Sequence, residues 1–123
     1  MRVLIIDDSA SFLRAARAFL LTQPGVEEVA TAPSGESGLD LFVRYPAALV
    51  LVDLAMPGID GLETTRRLKA RADAPAVFLV SLVAGSTYAA AAAAAGADGF
   101  ISKSDLPAVF ATTAASLGGA HVQ

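Results

Sequence analysis

Five times along this chain a short apolar run gives way to a longer helix-compatible stretch, and few folds accept that rhythm. The runs are Val3–Ile6, Glu27–Thr31, Ala48–Val52, Val77–Val80 and Phe100–Ser102. Several are apolar at every position rather than at alternate ones, as expected of parallel strands covered on both faces. Helices are expected near Ser11–Thr22, Gly35–Arg44, Leu62–Ala72, Ser86–Ala95 and Asp105–Leu117. Ser9, Ser34 and Ser104 suit N-caps, Gly96 suits the end of the fourth helix, and Pro107 falls in a first turn, where its missing N–H costs little. Strict strand–helix alternation predicts an α/β fold: a doubly wound five-stranded parallel sheet with helices on both faces. No repeat, linker or charge block divides the 123 residues, so 1–123 reads as one domain with one core.

Composition removes several function classes. Hydrophobic residues make up 54% of the chain, but much of that is alanine, and no run approaches the roughly 20 residues of a membrane span. The short apolar start, closed by two acids, lacks the form of a signal peptide. A cytoplasmic location and no membrane partner are expected. The absence of cysteine excludes disulfides, thiolate catalysis and cysteine metal sites. His121, the one histidine, cannot build a metal cluster alone. A net charge of −3 and a pI near 4.9 argue against direct nucleic-acid binding.

Polar residues cluster where strands run out: Asp7 and Asp8 after the first, Asp53 after the third, Ser81 after the fourth, Lys103 after the fifth. Open α/β sheets bind ligands beyond the carboxyl ends of their strands, so these distant residues are expected to share one crevice. Three carboxylates together repel, raising at least one pKa unless a cation joins them. Lys103 and a divalent ion balance the three negative charges. An oxygen-only ligand set suits Mg²⁺ (Mn²⁺ is the alternative), which prefers carboxylate and phosphate oxygens. A carboxylate there can attack phosphorus to give an aspartyl phosphate, with metal and lysine stabilising the transferring oxygens.

The set Asp7-Asp8, Asp53-Leu-Ala-Met-Pro-Gly-Ile-Asp-Gly61, Ser81, Gly96-Ala-Asp-Gly-Phe100 and Lys103 resembles the receiver domain of bacterial two-component response regulators, in order and across essentially the whole chain. The resemblance implies a flavodoxin-like strand order 2-1-3-4-5. It makes Asp53 the phosphoacceptor, with Asp8 on the metal directly, Asp7 mainly through water, and the Ala55 carbonyl as a further ligand. It has Ser81 bond a phosphoryl oxygen, Lys103 pair with another, and Ser81 and Phe100 move on switching. Pro57 and Gly58 form the turn after Asp53, and Gly61 precedes the third helix. The implied donor is a phosphohistidine on a sensor histidine kinase or histidine phosphotransfer protein. The chain then catalyses only its own phosphorylation and dephosphorylation.

Some positions depart from that family's pattern. Leu82 stands where a small residue usually follows the Ser/Thr, narrowing the approach to Asp53. Ala55 and Val83 occupy positions that modulate phosphoryl loss, and neither can hydrogen-bond an attacking water. Slow labelling by small donors and a long-lived acyl phosphate are therefore expected. Ser104 replaces a common proline, a variant resembling receivers paired with helix-turn-helix outputs. No charged residue lies between Ala74 and Ala97 or between Leu106 and Gln123. The fourth helix, fifth strand and fifth helix thus present a neutral face, with Leu82, Val83, Tyr88, Leu106, Val109 and Phe110 as candidate contacts for a downstream protein or a second copy. Three rivals are weighed. A receiver that only binds a partner sits poorly with intact Asp8, Asp53 and Lys103. A dehalogenase-type phosphatase needs an acid at position 55, and a flavodoxin-like binder would repel an FMN phosphate with its three acids.

Overall fold

The structure, a computed structural model, describes residues 1–82, 88–108 and 110. Five strands, β1 (Arg2–Ile6), β2 (Glu28–Ala32), β3 (Leu49–Asp53), β4 (Ala76–Ser81) and β5 (Gly99–Ser102), form one parallel sheet in the order β2-β1-β3-β4-β5. Helices α1 (Ala10–Leu21), α2 (Gly35–Arg44), α3 (Gly61–Lys69) and α4 (Ala89–Ala94) alternate with them. A 3₁₀ turn, Lys103–Asp105, follows β5, and helical backbone continues at 106–108 and 110. The fold class and strand order are those expected. Among the described residues, no helix is long and apolar enough to cross a membrane.

Two cores, one per face, explain the unbroken apolar strands. Side chains alternate across a strand, so Val3 and Ile5 of β1 join Leu49 and Leu51 of β3 against Ala16 and Leu20 of α1, with Leu106 and Phe110. Leu4, Ile6, Val50 and Val52 point the other way, against Phe42 of α2, Leu68 of α3 and Ala92 of α4. The amphipathic α1–α3 bury one side each, whereas α4 is six alanines, a strong helix former needing no charged face.

Ser9 and Ser34 cap α1 and α2 as expected, accepting from the N–H groups of Phe12 and Ser37. Gly96, at φ +94°, ends α4 with Gly96 N–H to Ala93 O and Ala97 N–H to Ala92 O, the paired bonds of a Schellman motif.

Other expectations need correction. Ser104 is not an N-cap: it lies inside the 3₁₀ turn, its hydroxyl bonded to that of Ser102 at 3.0 Å. The third helix ends at Lys69, not Ala72, because Lys69 turns its ammonium to Pro75 O and Asp98 while Arg71 pairs with Asp73 in the turn beyond. Its cap is Asp60, bonded to Glu63 N–H at 2.9 Å. The fourth helix starts at Ala89, not Ser86; residues 83–87, with Val83, lie outside the described set. So do Val109, His121 and most of the expected fifth helix. Leu106 and Phe110 do not belong to an exposed face. They are 3% and 0% exposed, with Phe110 edge-on to Phe19.

Two glycines set how closely helices approach the strand ends. A Cβ on Gly61 would lie 2.2 Å from the Asp53 carbonyl oxygen and 2.8 Å from Leu54 Cα, both backbone. A Cβ on Gly38 would first meet the Ile6 side chain, at 2.4 Å from Cδ1 and 2.7 Å from Cγ1. The first conflict has no side-chain escape; the second does. Gly38→Ala is expected to be destabilising alone, by about 1 kcal/mol after its helix-propensity gain, and to be rescued only in part by Ile6→Val in denaturant melts, because valine keeps the γ-carbon 2.7 Å away. Gly61→Ala should cost about 3 kcal/mol, with no such rescue by a truncated neighbour.

Candidate phosphoacceptor site

Register brings the acids together. Ile6 pairs with Val52 across β1 and β3, so the residues that follow, Asp7 and Asp53, stand side by side at the carboxyl edge. Both continue the side-chain parity of the α1-facing core. Asp53 pairs in turn with Val80, which puts Ser81 one step further along β4, opposite Ser102 of β5. Asp53 and Ser81 are thus the last residues of their strands rather than the first beyond them. The loop after Asp53 is held by Leu54 N–H to Val80 O and Gly61 N–H to Leu54 O, both 3.0 Å. Gly58, at φ +77°, makes the tight turn there, and Ala55 is exposed.

Lys103, arriving from β5, joins the acids. Its Nζ lies 2.7 Å from Asp7 Oδ2 and 3.4 Å from Asp53 Oδ1, with its side chain only 10% exposed. Asp7 is 1% exposed, and its Oδ1 accepts the Ser9 N–H at 2.8 Å. Asp8 is exposed, and one carboxylate oxygen from each of Asp7, Asp8 and Asp53 lies within 4.8 Å of the others. Ser81 is 8% exposed. Phe100 is half-buried, stacked on Tyr88 with ring centres 6.5 Å apart. All the acids, the hydroxyl and the lysine expected at the strand ends therefore reach one edge of the sheet.

One contact escaped sequence reading: the Phe12 ring of α1, whose centroid is 4.4 Å from Lys103 Nζ. Its signal was available, because Phe12 lies one helical turn past the acid pair. A phenylalanine there reads first as core, however.

The charges do not balance. Burial, and then the neighbouring Asp7 charge, push the Asp53 carboxyl up to about 6 against the opposing pull of Lys103; Asp8 adds to the rise. Burial works against the Lys103 ammonium, but its bond to Asp7 and the charges of Asp7 and Asp53 outweigh this, so its pKa is raised. Three carboxylates facing one ammonium offer oxygen donors and an excess of negative charge, a set that fits a hard divalent cation.

Because Asp53 holds its proton more tightly folded than unfolded, that proton stabilises the chain at low pH. The benefit is lost as pH rises from about 4 through about 6. Asp53→Asn lacks this loss. Without metal, its stability advantage over the unaltered chain should grow with pH to about 2–3 kcal/mol at pH 7, and Mg²⁺ should shrink it. Thermal melts at pH 4 and 7, with and without Mg²⁺, check this.

A family model described as the response regulator receiver domain matches residues 3–113. The nitrate/nitrite response regulator protein NarP of Escherichia coli is 34% identical over 108 residues, 88% of this chain and 50% of NarP. A protein-glutamate methylesterase/protein-glutamine glutaminase of Myxococcus xanthus is 38% identical over 104 residues, 84% of this chain and 30% of that protein. The chain thus spans half or less of these curated relatives. A two-component response regulator of the LuxR family from Aurantimonas superposes with a TM-score of 0.85 at 29% identity, covering 96% of this chain and 85% of that one. By fold, by strand-end chemistry and by this family match, the chain belongs to the response regulator receiver domain family.

Proposed function

We propose that this chain is the phosphoacceptor of a two-component phosphorelay, taking a phosphoryl group onto Asp53 from a phosphohistidine. The donor is a sensor histidine kinase or a histidine phosphotransfer protein in the cytoplasm. The observation that carries this reading is the single ammonium of Lys103 set between Asp7 and Asp53, with Asp8 beside them.

In the proposed step an Asp53 carboxylate oxygen bonds to phosphorus as the phosphorus–nitrogen bond of the donor breaks, and the imidazole leaves with the electron pair. Asp7, Asp8, Asp53 and the Ala55 carbonyl would hold Mg²⁺ or Mn²⁺, which when bound offsets negative charge on the phosphoryl oxygens. Lys103 leaves Asp53 to pair with one of those oxygens, and the Ser81 hydroxyl donates to another. At pH 7 an Asp53 carboxyl with a pKa near 6 is mostly ionised, as a nucleophile must be. The buried Asp7 stays tied to Lys103 and to Ser9 N–H, so the cation remains at the site while Asp53 reacts. Hydrolysis later returns the carboxylate. No separate substrate is turned over, so the chain acts on its own acyl phosphate only.

Movement of Ser81 and Phe100 then alters a face made of α4, β5 and the helix beyond, for a downstream protein or a second copy. Leu82, 83% exposed, and Tyr88, 40% exposed, supply its described apolar contacts.

Intact mass after incubation with Mg²⁺ and phosphoramidate should show one added phosphoryl group in the unaltered chain and none in Asp53→Asn. Undiminished labelling of the variant would end this reading. Leu82 stands directly after Ser81 and is free to restrict small donors, and Ala55 offers no hydrogen bond to water. Labelling should therefore be slow, faster in Leu82→Ala, and the product should persist well beyond seconds in a decay assay.

A further inference from the structure

We propose that Phe12 is a positioning residue for Lys103: its ring face holds the ammonium between Asp7 and Asp53. The proposal rests on the reading of Lys103 as the cation that pairs with the phosphoryl group.

A lysine ammonium has three N–H groups and no acceptor. Asp7 Oδ2 lies 2.7 Å from Lys103 Nζ and Asp53 Oδ1 3.4 Å, and the Phe12 ring stands 4.4 Å away to its centroid. The ring face carries the negative end of the aromatic quadrupole and attracts a cation, more strongly where water is scarce. Water is scarce here, with the lysine side chain only 10% exposed. The ring thus adds a third attraction on the ammonium beside the two carboxylates.

Phe12 is itself fixed by the site. The Asp7 carboxylate accepts from Ser9 N–H at 2.8 Å, and the Ser9 hydroxyl accepts from Phe12 N–H at 3.2 Å. The Phe12 ring meets Lys103, and Lys103 returns to the other oxygen of Asp7. These four contacts close a circuit that links the first turn of α1 to the end of β5. When Asp53 is taken up by a phosphoryl group, Asp7 and Phe12 still hold the amine in place for the new oxygen. A leucine at position 12 would fill similar space but would offer no such attraction.

Phe12 also packs against the α1-side core, so the test must separate charge attraction from packing. Mono-, di- and trifluorophenylalanine, introduced at position 12 of the full chain, remove the quadrupole stepwise with little change of shape. With saturating phosphoramidate and Mg²⁺, the first-order labelling rate of Asp53 should fall with each fluorine, by about 3- to 10-fold over the series. The thermal midpoint should hold steady, and Phe12→Tyr should label at the unaltered rate. A flat rate across the series, with Phe12→Leu losing rate and thermal midpoint together, would overturn the proposal in favour of packing alone.

Should the unaltered chain take no phosphoryl group at all, the reading of Asp53 fails but the pairing is still measurable. The Lys103 ε-methylene protons should be ring-shifted upfield and should return to the ordinary lysine position in Phe12→Leu. Ordinary positions in both would refute it.

Discussion

The pairing of Ile6 with Val52 is the constraint on which the site depends. Once those two backbones are in parallel register, the next residues are both aspartates and must face one another at the sheet edge. A slip of one residue would turn either acid to the opposite face. β1 and β3 are apolar on both faces, so it is the fit of Val3, Ile5, Leu49 and Leu51 against one core and of Leu4, Ile6, Val50 and Val52 against the other that opposes the slip. That packing carries an electrostatic cost. Burial first, and then the Asp7 charge that one lysine does not offset, raise the Asp53 pKa. A reactive carboxylate and a demand for a further cation follow from burial and repulsion together.

Around that edge, packing decides what can move. Gly61 lets α3 rest on the backbone of Asp53 and Leu54, so the Asp53 peptide is clamped from below. Ser81, by contrast, ends a strand beside the exposed Leu82, and Phe100 is only half-buried against Tyr88. Asp7, Asp53 and Ser81 are thus buried at this edge, while Asp8 and Leu82 are exposed and Phe100 lies between.

Much of this was legible in the sequence. Strand-length apolar runs, each followed by a polar residue, were enough to place Asp7, Asp8, Asp53, Ser81 and Lys103 at one edge. Ser34 and Gly96 announced their helix ends because their backbone chemistry is local. What was missed depends on contacts between distant segments. Lys69 leaves its helix for Asp98, which periodicity cannot foresee. Leu106 and Phe110 looked available for a partner because their surroundings carry no charge, yet the α1-side core claims both. Phe12 looked like core and is partly that; its cation neighbour comes from the far end of the chain.

Strand register gathers three carboxylates around one buried lysine, and Asp53 bears the cost. Carbon-13 NMR of the labelled aspartate carboxyls, followed against pH with and without Mg²⁺, reads it directly. Asp53 is expected to titrate near pH 6 in the metal-free chain and well below that once Mg²⁺ is added. An Asp53 that titrates near 4 without metal and ignores Mg²⁺ would contradict it.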